Sequence, residues 1–198
     1  MESAQKDSKA TGMYTKVLVA LGSNQETPFG PPARTIAAAL SALQTESVRF
    51  WAASRLFRTP AFPTGSGPDY VNAAAVLMTD LAPEALLAHL HGVETIFGRV
   101  RHGRWGARTL DIDLIACGAA ILPDQAGLRY WIALPEQDQA RLAPDRLILP
   151  HPRVQDRAFV LVPLADIAPG WCHPLTGRSV TEMLADLPDA AKAEVRPL

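Results

Sequence analysis

Apolar and polar positions change period several times along the chain, and each change marks an element. Residues 15–21 (TKVLVAL) are apolar, short and β-branched, and they stop at Gly22, Ser23 and Asn24, the pattern of a buried strand that ends in a turn. After Pro31 and Pro32, Ile36, Ala39, Leu40 and Leu43 recur at three- and four-residue spacing, which predicts a helix opened by proline. Residues 48–59 and 70–79 predict two strands around a linker carrying Pro60, Pro63, Gly65, Gly67 and Pro68. Pro83 opens a second helix, with Leu86, Leu87, Leu90, Val93, Ile96 and Phe97 as its apolar stripe and Gly98 as its stop. In residues 109–117 (TLDIDLIAC), Leu110, Ile112 and Leu114 alternate with Asp111 and Asp113, a strand with its carboxylates on one face.

The order β-α-β-β-α-β predicts an α+β fold with a ferredoxin-like core: an antiparallel sheet with both helices on one side. Residues 118–149 are irregular and proline-bearing, an inserted excursion with a short helix over 136–142. Residues 154–167 and 179–187 supply further helices for the other face, which completes a three-layer α-β-α arrangement.

Composition narrows this picture. With 198 residues, 48% hydrophobic and 20% charged, the chain is an ordinary globule of one domain, and wholesale disorder is excluded. That domain is expected over 15–198, behind a disordered leader over 1–14. The 19 basic and 20 acidic residues nearly cancel, so any binding of phosphate is local rather than the work of a global field. The two cysteines, Cys117 and Cys172, form no CxxC pair, and no histidine cluster has zinc spacing. That usage fits a reducing cytoplasm.

The chemistry concentrates in residues 98–113. Arg99, Arg101, Arg104 and Arg108 offer planar forks for phosphate oxygens, while Gly98, Gly103 and Gly106 allow close approach of the chain to a ligand. Asp111 and Asp113, at i and i+2 of a strand, present two carboxylates on one face, a donor pair suited to hard cations such as magnesium. Alone, such a pair is usually a solvated strand face, and an arginine-rich loop usually makes surface ion pairs of little energy. Together, like charges beside four arginines favour a phosphate and metal site.

Within and around that block, VALGSN (Val19 to Asn24), RTP (Arg58 to Pro60), DYVNAA (Asp69 to Ala74), GRVR with RWGARTLDIDLI (Gly98 to Ile115) and LPHPR with RAFVLVPLADIAP (Leu149 to Pro169) follow in order. In these motifs the chain resembles the 6-hydroxymethyl-7,8-dihydropterin pyrophosphokinases of the folate pathway. The resemblance implies transfer of pyrophosphate from ATP to the pterin alcohol, releasing AMP, in a cytoplasmic monomer. It implies two Mg²⁺ ions on Asp111 and Asp113, with Arg99 and Arg101 joining them in catalysis. ATP contacts fall on Glu94, Arg99, Arg101, Arg104, Trp105, Arg108, Leu114, His151 and Arg157. Pterin contacts fall on Asn24, Thr59, Pro60, Phe62, Tyr70, Asn72, Trp105 and Phe159, with the flat ring between Tyr70 and Phe159 and its polar edge read by Asn72.

The chain also departs from the family pattern. His91 stands where relatives carry glutamine, Pro152 stands where some carry an aromatic, the loop before Trp105 is short, and the excursion is long. Two other classes share parts of the pattern. An RNA-binding sheet module has the same element order but calls for a basic, aromatic sheet face, whereas residues 109–115 display acids. A metal-dependent nucleotide hydrolase would share the carboxylates without the pterin motifs.

Overall fold

The computed structural model describes residues 14–61, 65, 67–99, 109–139 and 141–198. Of the expected leader, residues 1–13 lie outside the described residues. Tyr14 stacks under the Arg49 guanidinium, 4.4 Å from its ring centre, and its hydroxyl donates to the Glu46 carbonyl.

Strand β1 (Thr15–Ser23) is the centre of the sheet, antiparallel to β4 (Tyr70–Thr79) on one side and to β5 (Asp111–Cys117) on the other. The far side of β4 pairs first with β2 (Val48–Ala53) and then with β3 (Phe57–Thr59), and β3 carries the two-residue β6 (Arg196–Pro197). The stretch expected as one strand over 48–59 is therefore two. A bulge between Phe50 and Ala52 leaves Trp51 unpaired and exposed. Ser54 then occupies the break, its amide donating to the Ala74 carbonyl and its hydroxyl accepting the Ala74 N–H.

Because side chains alternate along a strand, β1 feeds two cores. Val17, Val19 and Leu21 pack with α1 (Pro32–Ala42) and α2 (Pro83–Ile96) through Ile36, Ala39, Leu86, Leu90 and Val93. Leu18 and Ala20, with Ala74, Val76 and Ile115, meet α5 (Ala158–Ile167) and α6 (Val180–Asp186) through Val160, Leu161, Leu164 and Met183. Both faces are covered, which is why the strand reads as a nearly unbroken apolar run.

Between β5 and α5 the excursion is more ordered than its composition predicts. It contains α3 (Gln125–Ala133) and the single turn α4 (Glu136–Gln139), shorter than the helix expected over 136–142. Asp124 caps α3 by accepting the Gly127 N–H at 2.7 Å, and fully buried Leu128 anchors it. Leu122 and Leu149 bond to each other in both directions and close the excursion at its base. The helix expected over 154–167 also divides: a 3-10 turn over Val154–Asp156 is separated from α5 by Arg157 in an extended conformation. Beyond it, α6 opens with a full capping box between Ser179 and Glu182, and α7 (Asp189–Ala193) leads to β6.

As the edge of the sheet, β5 has outward backbone groups that need partners. Glu94 of α2, only 1% exposed, accepts the Ile112 N–H at 2.7 Å, and the His151 N–H donates to the Ile115 carbonyl at 2.8 Å. Removing the Glu94 carboxylate strands a buried donor. Glu94→Ala is expected to lower the unfolding free energy by about 1–3 kcal/mol in urea titration; an unchanged midpoint would show that β5 does not depend on this bond.

His173 organises the turn before α6: its Nδ1 accepts the N–H groups of Leu175 and Thr176, and the ring is buried. Burial holds its pKa below the ordinary 6.5, so the fold favours the neutral ring. Its contribution to stability is complete above 6.5 and is lost as pH falls through the folded value. The stability advantage of the wild type over His173→Asn is therefore expected to shrink as pH is lowered from about 7 to about 5, read by chemical denaturation at each pH. A pH-independent difference would contradict this.

Candidate functional site

Register places the acidic pair. Asp111 lies opposite Gly22 and Asp113 opposite Ala20, and on the next strand Gly22 and Ala20 lie opposite Asn72 and Ala74. Opposed residues share a face, so Asp111, Gly22 and Asn72 form a row across three strands, with about 10 Å between its ends at ordinary strand spacing. The middle of that row is a floor of small residues. A Cβ on Gly22 would sit 3.1 Å from the Asn72 Oδ1, so glycine is what lets the amide lie flat against the sheet. Tyr70, two residues before Asn72, stands on the same face and approaches Gly22.

The amide is held from below. Asn72 is buried and donates through Nδ2 to the Thr59 Oγ1 at 2.8 Å, while Asn24, also buried, donates to the Pro68 carbonyl at 3.2 Å. Pro60 follows Thr59 at the end of β3. Phe159, in the first turn of α5, is exposed, and the Arg157 guanidinium lies 5.6 Å from its ring centre. An oriented amide, the Tyr70 ring and a glycine floor suit a flat heterocycle with a polar edge.

A cleft of about 630 Å³ runs along the free edge of β5, with Asp111, Ile112, Asp113 and Leu114 in its wall. Arg99 bridges the side chains of Glu94 and Asp111, and Arg157 pairs with Asp113 at 3.2 Å. The aspartate side chains keep 17% and 34% exposure, so both remain accessible from the cleft. His151 sits beside them. Burial, with the Arg157 charge adding to it and Asp113 opposing, pushes its pKa down to about 4, so the ring is neutral at pH 7. Its Nδ1 accepts the Arg153 N–H at 3.0 Å, which assigns the ring proton to Nε2.

The structure thus brings together Glu94, Arg99, Asp111, Asp113, Leu114, His151 and Arg157 on one cleft, and sets Asn24, Thr59, Tyr70 and Asn72 on or beside the adjoining sheet face. Arg101, Arg104, Trp105, Arg108 and Phe62 lie outside the described residues. Sequence reading missed Arg153, Arg146 and Trp131, which also line the cleft. Arg153 stood inside the LPHPR motif, and Trp131 follows Leu128 by three residues, a helical spacing that the flanking prolines masked.

Two carboxylates without sulfur or a histidine cluster form an oxygen donor set that suits Mg²⁺, an ion that takes few protein ligands and completes its shell with water and phosphate. Among the described residues no group of three or more His, Cys, Asp or Glu side chains forms a metal cage.

Residues 18–169 match the family described as 7,8-dihydro-6-hydroxymethylpterin-pyrophosphokinase (HPPK). The chain is 40% identical over 177 residues to the 2-amino-4-hydroxy-6-hydroxymethyldihydropteridine pyrophosphokinase of Pseudomonas aeruginosa, covering 89% of this chain and 94% of the relative. It is 36% identical over 174 residues to the enzyme of the same name from Methylorubrum extorquens, covering 87% and 94%. The fold is similar to that of the crystal structure of Plasmodium falciparum HPPK-DHPS, with a TM-score of 0.59 at 13% identity over 89% of this chain, which spans 45% of that longer one. Matched over most of its length by the family and by these relatives, the chain belongs to the 7,8-dihydro-6-hydroxymethylpterin-pyrophosphokinase family.

Proposed function

We propose that the chain transfers pyrophosphate from ATP to 6-hydroxymethyl-7,8-dihydropterin, yielding AMP and the pterin diphosphate, a step of folate biosynthesis. The observation that carries this reading is the shared sheet face: the oriented amide of Asn72 and the carboxylates of Asp111 and Asp113 flank one glycine floor. A ring lying on that floor with its edge at Asn72 directs a side arm toward β5. The same register supports a ferredoxin-like assignment, since β5, β1, β4 and the β2/β3 pair stand in the order that the β-α-β-β-α-β core requires. No helix among the described residues is long and apolar enough to cross a membrane.

The hydroxymethyl oxygen attacks the β-phosphorus of ATP, the bond from the β-phosphorus to the AMP oxygen breaks, and AMP leaves. Asp111 and Asp113 would hold two Mg²⁺ ions, which supply charge neutralisation on the phosphate oxygens. Arg99 and Arg157, each already paired with an aspartate, are placed to share their guanidinium groups with those oxygens. Neutral His151 offers its Nε2–H as a hydrogen-bond donor without adding another cation. Asn72, steadied by Thr59, orients the ring, and Tyr70 and Phe159 bound its faces. Either carboxylate is placed to accept the alcohol proton. Arg101, Arg104, Arg108 and Trp105 belong by resemblance to the same phosphate grip, and Phe62 to the ring slot. Catalysis here is positioning and electrostatics rather than covalent chemistry.

The test is a nucleotide assay with purified protein, ATP, magnesium and the hydroxymethyl dihydropterin. AMP is expected only when the pterin is present, and Asp113→Ala is expected to lose about a hundredfold or more in turnover. Pterin-independent release of ADP or AMP would point to a nucleotide hydrolase instead. Wild-type turnover in Asp113→Ala would remove the acidic pair from the mechanism.

A further inference from the structure

The backbone ladder between β1 and β5 ends at the pair Gly22 and Asp111, so Thr109 and Leu110 lie beyond it. A side chain takes over there. Ser23, the last residue of β1 and 0% exposed, donates its hydroxyl to the Thr109 carbonyl at 2.6 Å. Two residues beyond Leu21, Ser23 stands on the α1/α2 face of the sheet, the side whose core holds Leu21, Val71 and Leu110. Packing on that side calls for an alanine or a valine, and a hydroxyl is costly there unless it is bonded. Thr109 adds no hold through its own side chain, since its hydroxyl is buried without a partner. Across the sheet Ser23 lies opposite Val71 of β4, between Tyr70 and Asn72. One serine thus joins the strand that carries the ring slot to the point where the chain enters β5, two residues before Asp111.

We propose that Ser23 is a positioning residue for the transfer: its bond to the Thr109 carbonyl fixes where the Asp111 carboxylate stands relative to the ring slot. This rests on the pyrophosphokinase reading and adds to it a residue that touches neither substrate nor cation. Asp111 shares its face with Gly22, and Ser23 points to the other face, so the hydroxyl acts only through the backbone. Without that bond the entrance to β5 loses its tie to β1, and a displaced carboxylate holds its cation poorly. The Asn72 amide, held separately by Thr59, keeps its place.

The experiment uses the full chain in steady-state kinetics with ATP, the hydroxymethyl dihydropterin and a titration of magnesium, with rates referred to the folded fraction from melting curves. Ser23→Ala is expected to lose about ten- to a hundredfold in kcat, the usual cost of removing a group that orients a metal ligand. The magnesium concentration giving half-maximal rate rises with that loss, while the KM for the pterin holds. Ser23→Cys, close in volume and a weaker donor, falls between alanine and wild type, and Ser23→Thr, which keeps the hydroxyl, recovers most of the rate. The cysteine variant decides the matter where threonine is too large for the buried site. Wild-type kcat and magnesium dependence in Ser23→Ala overturn the inference, as does a loss of stability alone. A KM for the pterin that rises in step with the magnesium requirement also overturns it, because the whole end of the sheet has then moved. Absence of pterin-dependent AMP in the wild type would instead take down the pyrophosphokinase reading, an outcome distinct from variants that behave like the wild type.

Discussion

The pairing of two aspartates with two arginines along a sheet edge is the arrangement on which the rest depends. Asp111 and Asp113 repel each other on one face of β5, and an edge strand also exposes backbone groups that need partners. Both demands are met by neighbours reaching in from opposite sides. From α2 come Glu94 and, just beyond the helix, Arg99; from the segment before α5 come His151 and Arg157. In the proposed function the arginines that neutralise the strand would also receive phosphate, so the stability of the edge and the chemistry of the cleft would share their residues.

The ring slot follows from the same register. Small residues opposite the carboxylates, Gly22 and Ala20, keep the sheet face low between β5 and Asn72. A larger residue at position 22 would collide with the amide, so the floor and the orientation of Asn72 are one feature of the sequence. The proposed ring slot and the acidic pair thereby share one face of one sheet, the arrangement that a transfer between two substrates needs.

Much of this was legible in the sequence. The strand alternation of residues 109–117 put both aspartates on one face, and the apolar run of β1 implied cover on both sides. What escaped was set by tertiary partners. On α2 the periodicity placed Ile96 in the core, yet Ile96 is 66% exposed, while Glu94, which the resemblance made an ATP contact, is buried because a backbone donor of β5 and the Arg99 guanidinium wait for its carboxylate. The break between β2 and β3 was hidden because a serine hydroxyl replaces a ladder partner, and β-branched content carries no signal for that. Helix α3 was lost among prolines and a glycine. Its markers were local, the Asp124 cap and the spacing of Leu128, Trp131 and Ile132, and they were outweighed by composition.

The central claim is that β5 carries the divalent cations at a face shared with the ring slot, and paramagnetic relaxation in solution tests it most directly. With Mn²⁺ and a non-hydrolysable ATP analogue bound to isotopically labelled protein, broadening is predicted to centre on the amides of residues 111–113, extend across Gly22 toward Asn72, and leave α6 and α7 sharp. Broadening centred anywhere else, with residues 111–113 unaffected, would contradict the account.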